Sequence, residues 1–154
     1  MRFFSFLSDK PITIEDKVFG TLRLETYGKN RPTSWLTEHL FFGPTGREIS
    51  CSIDAGPDGP TEEQQAFFQK IEQNCYSLRG ALIPVLEDEF RNWKPDFKIQ
   101  DFDAEFWLVG LSIPELGKQT VEWEWSFETV HDDNHMLTIH MHGNIPQAGV
   151  RFDG

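Results

Sequence analysis

His140 and His142 are separated by one residue in a stretch where Leu137, Ile139 and Met141 alternate with Thr138, His140 and His142. On a β-strand that alternation sends both imidazoles to one face. Zinc and non-haem iron sites use such pairs together with a carboxylate. Carboxylates are close in sequence. Between Thr120 and Val130, Glu122, Glu124 and Glu128 (with Ser126) alternate with Val121, Trp123, Trp125 and Phe127. A hairpin centred on Asp133 would set Phe127 opposite Ile139 and Trp125 opposite Met141 inside, with Ser126 opposite His140 and Glu124 opposite His142 outside. A slip of one residue would drive the glutamates under the apolar face, so the parity is constrained. His131 and His135 then fall near the turn.

Three readings of this outer face stand side by side. The glutamates and histidines are solvated cross-strand neighbours contributing tenths of a kcal/mol each. Or Glu122, Glu124, Glu128, His140 and His142 form a docking surface for a basic protein partner. Or His140, His142 and Glu124 hold a divalent metal, as in a metal-binding domain or metal-dependent hydrolase. His-x-His has low specificity, and we assign no metal residue and no cofactor.

Other chemistry finds little footing. Asp54, Asp58 and Gly59 match positions one, five and six of a calcium loop, but Gly56 and Gln65 stand at positions three and twelve, where oxygen ligands are required. No glycine-rich phosphate loop, G-x-S-x-G or H-E-x-x-H occurs. Cys51 has no activating histidine, and an inward thiol is inert. Consecutive Glu87, Asp88 and Glu89 point in different directions on a helix. No catalytic residue is assigned, and an enzyme is disfavoured.

The chain has 154 residues with a formal charge of −11, from 14 Lys and Arg against 25 Asp and Glu. That field repels phosphate and excludes a nucleic-acid partner, while it favours encounter with a basic protein. Aromatics reach 14%, including 14 Phe and 5 Trp, enough large apolar surface to close one core over residues 1–154 without disulfides. Cys51 and Cys75 read as buried free thiols. Phe3, Phe4, Phe6 and Leu7 are cut off by Asp9-Lys10-Pro11 before the length of a secretory segment, and no run is long enough to span a membrane. These features predict a cytoplasmic protein; they set no oligomeric state.

The elements that would position the histidine face form an α+β fold. Strands are expected over 19–27, about 35–42 and 48–54, with turns at Gly28–Pro32 and Gly43–Gly46. Thr61 and Gln64 form a capping box ahead of a helix. Its stripe runs Phe67, Ile71, Cys75, Leu78, Leu82, Leu86, Phe90, Trp93, at a period near 3.7. Gly80 and Pro84 predict a kink between about 79 and 84, or two helices. A strand over 106–113 and the histidine hairpin follow. The expected fold is an antiparallel sheet from two meanders with the helical segment packed on one face. Its core comprises Phe19, Leu24, Ile49, Ile53, Phe67, Ile71, Leu82, Leu86, Phe90, Leu108, Trp125, Phe127 and Ile139.

The Asp16-Lys17-Val18-Phe19-Gly20 segment, read as a strand, the Trp35 strand, and the third strand running through Asp54 to Gly59-Pro60-Thr61-Glu62-Glu63-Gln64-Gln65 resemble a bacterial family of uncharacterised small acidic domains. Some relatives are encoded near polymorphic toxins and are regarded as immunity proteins. The likeness covers residues 12 to 95 and, more faintly, the closing strands. It implies an α+β fold whose work is binding, and it carries over no catalytic residue. The two-histidine final strand departs from the family pattern.

Overall fold

A computed structural model describes residues 10–25, 33–117 and 119–154. The apolar opening 1–8 and the expected turn at 28–32 lie outside them. The chain runs β1 (Thr13–Asp16), β2 (Gly20–Glu25), β3 (Ser34–Phe42), β4 (Arg47–Asp54), α1 (Glu62–Gln73), α2 (Cys75–Phe90), α3 (Phe102–Glu105), β5 (Phe106–Ile113), β6 (Glu122–Thr129), β7 (Asp132–His142), β8 (Ile145–Pro146) and β9 (Arg151–Asp153). All strands join one sheet in the order β1 to β8, with β9 also on β7. The fold is α+β and predominantly sheet.

Two meanders are present, but they meet at a parallel junction. Ser50 pairs with Gly110 and Ile53 with Ile113 in the same direction. The wholly antiparallel expectation is corrected there: the chain between β4 and β5 carries three helices, and a long crossover permits the parallel pairing that a short hairpin cannot make.

The expected strand at 16–20 is broken by a turn at residues 17–19, with Asp16 ending β1 and Gly20 opening β2. Asp16 Oδ1 accepts from the amides of Val18 (2.8 Å) and Phe19 (2.9 Å), an Asx turn that closes on Gly20 at φ 72°. The turn joins β2 to β1, a strand too short and polar to show in the sequence.

The helix starts as expected. Thr61 Oγ1 accepts from Gln64 N at 3.2 Å while Gln64 Oε1 accepts from Thr61 N at 3.0 Å. Gln64, 1% exposed, also donates to the carbonyls of Asp54 (2.7 Å) and Pro114 (2.8 Å), tying α1 to the ends of β4 and β5. The break falls at Asn74 and not at 79–84. Both the amide and the side-chain Nδ2 of Asn74 donate to Lys70 O, so the side chain competes for a helical carbonyl. Pro84 instead sits inside α2 on its exposed side, where water can reach a carbonyl deprived of its amide.

One buried cluster draws on helices and strands alike. Phe68 meets Phe19 and Phe42, Phe67 meets Trp123, Phe90 meets Phe106, and Phe102 meets Phe127. Of the expected core, Leu24 and Phe67 are only partly buried. The stripe also overran its helix: Trp93 lies past the end of α2, 59% exposed, edge-on to Phe90 and Phe152. No helix among the described residues is long and apolar enough to cross a membrane.

Candidate functional site

β6 divides its side chains as its pattern requires. Trp123 and Trp125 are 2% and 1% exposed and Phe127 is buried, while Glu122 and Glu128 face solvent and Glu124 is half-buried. Across from them Leu137, Ile139 and Met141 are buried, and His140 and His142 lie on the glutamate side. We call this the outer face of the sheet.

The register differs from the expected one by two residues. His140 pairs with Glu124 and His142 with Glu122, while Trp125 opposes Ile139 and Trp123 opposes Met141. The hairpin closes on Thr129 and Asp132, leaving only Val130 and His131 between the strands. Between the Phe127–Leu137 and Thr129–Asp132 pairs, Asp133 to Met136 stand against the single residue Glu128. The bulge adds three residues to β7, and the offset from the expected register along 122–127 and 137–142 is two, an even number, so the side chains of those stretches keep their faces.

The new pairing gathers the histidines around two carboxylates. His140 Nδ1 lies 3.6 Å from Glu124 Oε1 and its Nε2 lies 3.9 Å from Glu122 Oε2; His142 Nδ1 lies 3.8 Å from Glu122 Oε1. Glu124 also receives Arg151 of β9, at 3.2 and 3.4 Å, and Arg151 turns to Asp153 at 2.9 Å as well. The third ligand of the metal reading is therefore committed to a guanidinium. Among the described residues no group of three or more His, Cys, Asp or Glu side chains is placed to hold a metal ion.

Toward β4 the outer face is floored by small residues. Ser50 pairs with Gly110, Gly110 with Ser126, and Ser126 with Thr138. Their hydroxyls answer one another: Ser126 and Thr138 lie 2.9 Å apart, and Ser34 and Ser52 lie 3.0 Å apart. At the far end Glu48 sits opposite the exposed Phe41 and reaches His39 at 3.0 Å. Trp107 sits opposite Glu128. Trp107, Glu128, Thr129 and the bulge residues line an open groove of about 300 Å³. In it Asp132 is held below the ordinary carboxylate range by the Asn134 amide and the His135 side chain, so it stays ionised.

His131 does not join this surface. Its Nε2 lies 2.8 Å from Glu105 Oε1, and its ring is enclosed by Phe90, Phe97 and Phe106. Glu105 Oε2 accepts the amides of Gln100 (2.7 Å) and Asp101 (2.6 Å). Partial burial raises the Glu105 carboxyl, but the Asp101 amide, the His131 side chain and the Gln100 amide outweigh it and hold the group below its usual value. The pair joins positions 26 apart, and sequence reasoning missed it. The available signal was a histidine at a turn apex beside β-branched Thr129 and Val130. Cys51 and Cys75 are buried free thiols, and burial raises both above their usual value, Cys51 strongly, which leaves them poor nucleophiles.

Compared with known protein families, with curated proteins and with solved structures, the chain finds no match.

Proposed function

We propose that this protein is a non-enzymatic interaction module that docks a basic protein partner on the outer face of its sheet, in the manner of an immunity protein occluding a toxin domain. The observation that carries the reading is the charge of that face: Glu122, Glu124, Glu128, Glu48 and Asp153 share it, and Arg151 is the cation that reaches Glu124 and Asp153. The net charge of −11 adds a long-range field that steers a cationic partner. The reading takes α1 and α2 to lie across the opposite face, as the ring contacts of Phe67, Phe68 and Phe90 support, so that the glutamate side is left for a partner. It sets the protein in a reducing cytoplasm, in keeping with its two free, buried thiols. The reading includes no nucleic-acid or membrane partner and no cofactor.

The test is co-purification with the product of the adjacent gene, followed by association kinetics. Reversing Glu122, Glu124 and Glu128 to Lys slows association about tenfold at low salt, and the effect fades as salt rises. No binding at micromolar concentration in physiological salt, or a rate indifferent to charge reversal, contradicts the reading.

A further inference from the structure

The carboxylates of the outer face are not equivalent. Glu124 is held by Arg151, Glu122 lies beside His140 and His142, Glu48 meets His39, and Asp153 meets Arg151. Glu128 is exposed and has no cationic partner among the described residues. It is also the residue left opposite the β7 bulge, so the hairpin opens beside it into the groove walled by Trp107, by Met136 and by Asp132 to His135.

We infer that this groove receives an arginine side chain of the basic partner, its guanidinium lying against the Trp107 indole and bonded to Glu128. The inference rests on the docking reading and names the chemistry of its anchor. Trp107 and Glu128 are cross-strand neighbours, which puts their β-carbons about 5 Å apart. A planar cation can then lie along the ring and still present its edge to the carboxylate. Guanidinium is weakly hydrated, stacks on aromatic faces and offers a donor fork matched to carboxylate; an ammonium is compact, strongly hydrated and gains less from an apolar wall. The thioether of Met136, 37% exposed, supplies a second soft wall. Asp132 and the exposed Asp133 add negative charge at the rim, and His135 is engaged by Asp132 at 2.9 Å. A volume of about 300 Å³ is at the lower limit of small-molecule sites, the scale of one long side chain rather than a cofactor.

Two synthetic peptides, identical except that one carries arginine wherever the other carries lysine, are titrated calorimetrically into the full chain and into Trp107→Leu and Glu128→Gln. The arginine peptide binds the wild type about tenfold more tightly than its lysine twin. Trp107→Leu brings the two affinities together with little change for lysine, and Glu128→Gln weakens the arginine peptide more than the lysine one. Trp107→Phe, which keeps a ring, retains part of the preference and guards against a folding defect in the leucine variant. Equal affinities for the wild type, or a preference that survives Trp107→Leu, overturn the arginine anchor and leave the docking reading in place. Failure of both peptides to bind takes both down.

Discussion

Three buried tryptophans provide an internal comparison. Trp35 donates its indole N–H to Gly56 O at 2.9 Å and Trp123 donates to Gly143 O at 2.8 Å, whereas Trp125 Nε1 has no hydrogen-bond partner among the described residues. All three side chains are at most 2% exposed, so replacement by Phe removes a similar amount of apolar contact at each. For roughly 50 Å² of lost burial that amounts to about 1 kcal/mol, with a similar cavity penalty added. The hydrogen-bond contribution separates them. Trp35→Phe and Trp123→Phe also lose a bond of about 1 kcal/mol, for a total near 3 kcal/mol. Trp125→Phe removes a buried donor whose unmet state costs about 1–3 kcal/mol, so its net effect falls near zero. Urea unfolding with matched slopes measures the three changes. A Trp125→Phe loss equal to or larger than the other two would refute the reasoning and show that this indole finds a partner.

Gln64→Leu keeps the side-chain volume but leaves the Asp54 and Pro114 carbonyls and the Thr61 amide without their partner; a loss of about 2–4 kcal/mol is expected by urea unfolding, and a loss under ~1 kcal/mol would show that the bridge between α1 and the sheet is dispensable. Glu105→Gln lowers stability at neutral pH by about 1.5–3 kcal/mol. Because the folded state holds Glu105 below its usual value, its contribution is present above the unfolded value of about 4.3 and is lost as pH falls through the folded one. Thermal unfolding from neutral to acid pH should therefore fall less steeply for the variant than for the wild type, and parallel curves would contradict the assignment.

Strand parity and the helix start were legible because each is written in neighbouring residues. Trp123, Trp125 and Phe127 can be buried only if Glu122, Glu124 and Glu128 are not, and the Thr61–Gln64 box closes within one turn. The break at Asn74 was hidden by the stronger signal of Pro84, since nothing local shows that Pro84 will face water. The hairpin register was hidden by the bulge. Asp133 to His135 read as turn residues and Met136 as the start of the strand, and only the closure of Thr129 on Asp132 makes them an excursion of β7. That same excursion opens the groove beside Trp107, so the part of the surface most distinctive in the structure is the part that alternation could not foretell. The parallel junction of β4 with β5 and the enclosure of His131 by three phenylalanines depend on the crossover, which brings distant positions together.

Amide chemical-shift mapping during titration with an arginine-rich polypeptide tests the docking surface most directly. The account predicts perturbations concentrated at Trp107, Ser126, Glu128, Asp133, Met136 and Thr138, with α1 and α2 unaffected. Perturbations centred on the exposed side of α2, around Tyr76 and Pro84, or spread evenly over the acidic surface, would contradict it.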